Sequence, residues 1–124
     1  MNSSNENRTF SSVVVQQNEQ VQLLQQEGLV NQIALSDIVN DYNSMVNHYK
    51  NYITTYDIIE LKEFYNEIKA FYSIIKEVCN NPSKHSSLSD NQLDLLAQIQ
   101  IETRKVKRDT LSRIQKQDQD QSTQ

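Results

Sequence analysis

The sequence predicts an all-α protein, and three observations carry that reading. There is one Gly and one Pro in 124 residues, 36% of the chain is hydrophobic, and apolar residues recur at steps of three and four through the centre. Sandwiches and α/β folds need many tight turns, which this composition does not supply. The expected architecture is an extended helical hairpin or coiled-coil-like bundle of about three long helices, with disordered termini. The helical domain is placed at 35–116, with helices near 36–55, 58–79 and 90–114.

Residues 1–12 are mainly Asn, Ser and charged residues around a lone Phe10, and the stretch 1–17 reads as a disordered polar arm. Residues 18–34 are rich in Gln and read either as a short helix ending near Gly28 or as a frayed lead-in. The next stretch, Leu35 to Cys79, holds all six tyrosines and two of the three phenylalanines. Its first stripe is Leu35, Ile38, Tyr42, Met45, Tyr49, Tyr52 and Tyr56, with Val39, Val46 and Ile53 on its flank.

At Asp57 the phase breaks. Asp57 and Glu60 form an acidic capping box, with Tyr56 and Leu61 placed as a hydrophobic staple, so a second helix is expected to start at Ile58. The alternative is one continuous, drifting helix, because no Gly or Pro enforces the break. Leu61, Phe64, Ile68, Phe71, Ile75 and Val78 form the second stripe, widened by Tyr65, Tyr72 and Cys79. Asn80-Asn81-Pro82 ends it, and a polar, serine-rich loop follows. Ser89 as cap, Gln92 three residues on, and Leu88 with Leu93 then open a third helix. A loop this short folds the second and third helices into an antiparallel hairpin. Leu93, Leu96, Ile99, Thr103 and Val106 continue the stripe, which thins through Thr110, Leu111 and Ile114 into a polar tail at 117–124.

Convergent catalytic groups are missing from this pattern. His48 and His85 are far apart, Cys79 is the single cysteine, and no glycine-rich loop could cradle phosphate. No enzyme, metal or cofactor is therefore expected. A buried thiol fits a reducing compartment, no stretch reads as an export signal, and no apolar run reaches the ~20 residues of a membrane span. The acids Glu60, Glu63, Glu67 and Glu77 alternate with Lys62, Lys69 and Lys76 on what reads as a solvated face.

Two surfaces remain as candidates. The net charge of -4 hides a basic run, Arg104, Lys105, Lys107, Arg108, Arg113 and Lys116, interrupted by a single acid. It could meet an anionic partner, or it could complement the helix C-terminus and keep that end soluble. A small nucleic-acid-binding module using this run is one alternative, but direct nucleic-acid binding is not favoured, because no aromatics interleave with these cations for base stacking. The tyrosine seam, Tyr42, Met45, Tyr49, Tyr52 and Tyr56, is either internal packing or a partner interface. The second stripe is too wide for one neighbour, which favours other helical protein subunits as partners.

The hairpin from about Ile68 to Ile114 resembles the C-terminal hairpin of the Mediator subunit nine family. Phe71, Lys76 and Pro82 close one helix, Leu88-Ser89 with Gln92 opens the next, and Lys107 and Leu111 fall on its far half. The likeness covers about a third of the chain. Members of that family tend to carry an apolar-Pro element before the first helix, whereas the only proline here is Pro82. The resemblance implies a nuclear, non-enzymatic bridging subunit of the RNA polymerase II coactivator. Asp41-Tyr42 with Tyr49, Tyr52 and Ile53, then Gln98-Ile99, Thr103 and Lys107, also looks like the cappuccino-type subunit of the complex that builds lysosome-related organelles. That likeness implies the cytosolic face of endosomes.

Overall fold

The computed structural model describes residues 10–15, 35–80 and 88–122, and among these it contains helices and no strand. The fold is all-α. Helix α1 spans Leu35–Tyr52, α2 spans Ile58–Asn80 and α3 spans Asp90–Ser122. The Gln-rich segment 18–34 and the loop around Pro82 lie outside the described residues.

Local chemistry sets the boundaries. Helix α1 stops at Tyr52, short of the expected 55, because the Thr55 and Tyr56 amides and the Thr55 hydroxyl all turn back onto the Tyr52 carbonyl. Asp57 and Glu60 then cap α2 reciprocally: the Glu60 amide donates to Asp57 Oδ1 at 2.8 Å, and the Asp57 amide donates to Glu60 Oε1 at 3.0 Å. Ser89 and Gln92 repeat the device for α3, at 2.8 and 3.2 Å. Helix α3 continues to Ser122, which corrects the expected end near 114 and a disordered tail from 117. Gln and Lys are fair helix formers and no Gly or Pro intervenes, so the helix outlasts its apolar stripe.

Cross-contacts fix the directions. Lys107 lies over the Tyr72 ring and Lys62 reaches Asp118, so α2 and α3 run antiparallel and form the most closely packed pair. Tyr49 of α1 bonds Asp109 of α3, and Glu102 lies within electrostatic reach of Tyr42, so α1 runs parallel to α3. The core gathers Ile38 and Met45 from α1, Leu61, Phe64, Ile68, Phe71, Ile75 and Val78 from α2, and Leu96, Ile99, Val106 and Ile114 from α3. Two threonines, Thr103 and Thr110, occupy fully buried positions in the α3 row. Thr110 returns its hydroxyl to the Val106 carbonyl at 2.8 Å, whereas the Thr103 hydroxyl has no partner.

One piece of the core comes from outside the three helices. Phe10 is 5% exposed and Val13 0%, and residues 12–15 are helical. This corrects the expected disordered arm over 10–15. Composition registers the polarity of this stretch but not the partners its backbone finds, and those partners are a buried carboxylate on α1 and a half-buried one on α2. The wide stripe of α2, which implied a partner chain, is closed by this segment as well as by α3.

Candidate functional site

The N-terminal segment is held as a clasp between α1 and α2. Ser11 caps its helical turn, its hydroxyl accepting from the Val14 amide at 3.2 Å. The first amides of such a turn attract negative charge, and Asp41 of α1 supplies it. Asp41 is 4% exposed; it accepts from the Val13 amide at 2.7 Å, the Ser12 hydroxyl at 2.9 Å and the Ser11 hydroxyl at 3.0 Å. Glu67 of α2 takes the two preceding amides in a fork, Phe10 on Oε1 at 3.0 Å and Ser11 on Oε2 at 2.8 Å. The Phe10 ring lies edge-on to Phe64 and Phe71, each centroid 5.7 Å away. Burial pushes the Glu67 carboxyl up from its ordinary 4.5 to about 7; the two amides pull it down and the Asp41 charge adds to the rise.

Both carboxylates had a sequence signature that went unread. Asp41 stands three residues after Ile38 and four before Met45, and Glu67 stands in the same relation to Phe64 and Phe71. An acid on an apolar row needs a partner when it is buried.

The tyrosine seam is mostly internal. Met45 is fully buried, and Tyr42, Tyr49 and Tyr56 pack against the core half-buried. The Tyr49 hydroxyl donates to Asp109 Oδ2 at 2.7 Å, and that carboxylate also accepts from Arg113 Nε at 2.9 Å. The Arg113 bond holds Asp109 below the usual carboxylate range, while burial raises the Tyr49 phenol. Tyr52 alone of the seam is turned well out, 47% exposed, with its ring stacked on Tyr56 and edge-on to His48. Met45 cannot meet a partner while the bundle is closed, so of the seam expected as an interface only Tyr52 is well exposed.

The basic run also divides. Arg113 is tied to Asp109, and Lys105 lies 3.5 Å from Glu102. Arg104, Lys107 and Arg108 instead line a cleft of about 280 Å³ with Tyr65, Tyr72 and Leu111. Lys107 Nζ sits 4.9 Å over the Tyr72 ring, and Lys69 Nζ sits 5.3 Å over Tyr65. Aromatics therefore do interleave with these cations, contrary to expectation, because they come from the other helix. The pattern along α3 alone could not reveal it.

Among the described residues no group of His, Cys, Asp and Glu could hold a metal ion, and no helix is long and apolar enough to cross a membrane. Comparison of the chain with protein-family models, curated proteins and solved structures finds no match.

Proposed function

We propose that this chain is a non-enzymatic helical scaffold subunit of a multiprotein complex. The clasp is the observation that supports this reading most. Between α1 and α2 the bundle holds a short peptide segment by an aromatic anchor, two carboxylates and the segment's own amides and hydroxyls. An apolar anchor in a groove, with polar groups meeting the segment around it, is a means of holding a segment of another protein as well. Tyr52, exposed at the C-terminal end of α1, adds a rigid amphipathic contact of its own.

Within this class, the likeness of the α2–α3 hairpin to Mediator subunit nine favours a middle-module subunit acting in RNA polymerase II transcription. The cappuccino-type likeness gives the alternative, a subunit at the endosome surface. Tagging the protein at native level tests both: nuclear location with co-purifying transcription subunits supports the first, and endosomal location with trafficking subunits supports the second. A monodisperse monomer that co-purifies with no other protein would overturn the scaffold reading.

A further inference from the structure

The charges of α2 and α3 are sorted by flank. Along α2, Lys62, Tyr65, Lys69, Tyr72 and Lys76 succeed one another at steps of three and four, a row of alternating cation and phenol with no acid. Glu67, by contrast, faces the clasp. Along α3, Glu102 and Asp109 lie toward α1, where they approach Tyr42 and Tyr49, while Arg104, Lys107 and Arg108 line the cleft toward α2. A solvated face of mixed pairs, which the alternation of acids and lysines along α2 suggests, would not segregate in this way. Lys62 has a carboxylate within reach, Asp118, at 4.0 Å and at the far end of the helix pair, where both side chains are more than half exposed. The centre of the cleft sets three cations of α3 against two phenols of α2, with no carboxylate on its lining among the described residues.

We infer that the α2–α3 cleft, lined by Arg104, Lys107 and Arg108 opposite Tyr65 and Tyr72, binds a compact ligand bearing several phosphates, of the size of an inositol polyphosphate headgroup. Arg presents planar donors suited to phosphate oxygens, and Lys adds mobile point charge. A cleft of about 280 Å³ is at the small end of ligand sites, which suits a headgroup and not a long strand. The phenol faces argue the same way. Lys107 and Lys69 already cover the Tyr72 and Tyr65 rings, so these rings are not free platforms for stacking nucleobases. The same chemistry can arrive as a soluble inositol polyphosphate or as a phosphoinositide in a bilayer.

The test is titration calorimetry of the full chain with inositol hexakisphosphate at physiological salt. In parallel, co-sedimentation is run with phosphatidylcholine vesicles with and without phosphatidylinositol bisphosphate, and fluorescence anisotropy with oligo(dT). The expected result is saturable binding of the inositol phosphate that Lys107→Glu and Arg108→Glu each weaken by about tenfold or more. Lys105→Glu, a change outside the cleft at a residue paired with Glu102, should weaken it by less than about threefold. Lys107→Gln, which removes the charge without reversing it, should fall between and guards against a folding defect, with circular dichroism as the check. Vesicle binding in addition identifies the lipid as a source, and its absence leaves the soluble ligand. No binding, equal losses for Lys105→Glu and Lys107→Glu, or tighter binding of oligo(dT) would overturn the proposal.

Discussion

The Val13 amide donates to Asp41 Oδ2 at 2.7 Å, joining residues 28 apart in sequence and fastening the N-terminal segment to α1. Glu67 fastens the same segment to α2. Two buried or half-buried acids are thereby satisfied by backbone amides and hydroxyls, with no basic partner among the described residues. Burying a carboxylate without donors is costly, so neither acid suits a bundle from which the clasp is missing.

Removing Asp41 should therefore do more than delete contacts. Asp41→Ala leaves the Val13 amide and the Ser11 hydroxyl without an acceptor in a buried place, and is expected to cost about 2–4 kcal/mol. Asp41→Asn keeps the shape and two acceptor sites, so its cost should be less. Urea denaturation of the two variants checks the order, and equal stability of wild type and Asp41→Ala would count against the clasp.

Glu67 gives the fold a pH dependence with a defined sign. Its carboxyl is raised from 4.5 to about 7 in the folded chain, so between these values the folded protein holds a proton that the unfolded chain has released. The contribution of Glu67 to stability therefore falls as pH rises from about 4.5 to about 7 and levels off above. Glu67→Gln cannot titrate and should be flatter across this window. If denaturation midpoints of wild type and Glu67→Gln change in parallel from pH 5 to pH 8, the assignment is wrong.

Thr103 offers a substitution that should stabilise. Its side chain is fully buried and its hydroxyl has no hydrogen-bond partner. Thr103→Val replaces that hydroxyl by a methyl of similar size and should raise stability by about 1 kcal/mol. Thr110→Val should gain less, because that hydroxyl already bonds the Val106 carbonyl. Thermal unfolding of the two variants compares them directly.

The seam separates into residues that hold the bundle and one that faces outward. Tyr49→Phe loses the bond to Asp109 and should destabilise by about 1 kcal/mol. Tyr52→Ala removes a side chain that is 47% exposed and should change stability by less than about 1 kcal/mol while weakening capture of partner subunits. Large loss of stability for Tyr52→Ala with partners retained would place it inside the fold instead.

Periodicity made the three helices legible. The α2 row, from Leu61 to Val78, is buried throughout, and the caps at Asp57 and Ser89 mark the helix starts. What escaped was one position of α1: the buried row is Ile38, Asp41 and Met45, with Tyr42 at its edge. Aromatic weight draws the seam onto Tyr42 and passes over Asp41 beside it. The clasp escaped because hydrogen bonds between a backbone and carboxylates far along the chain leave no mark in the composition of residues 10–15. The cleft escaped because its phenols and cations belong to different helices, and only their antiparallel pairing brings Tyr72 beneath Lys107.

Nuclear Overhauser contacts of the Phe10 ring, in protein labelled at phenylalanine, test most directly whether the chain closes its own core. Contacts from Phe10 to the Phe64 and Phe71 rings, lost in Asp41→Ala, are the expected result, since the centroids lie 5.7 Å apart. A Phe10 ring with the shifts of an unfolded chain and no contact to either phenylalanine would contradict it.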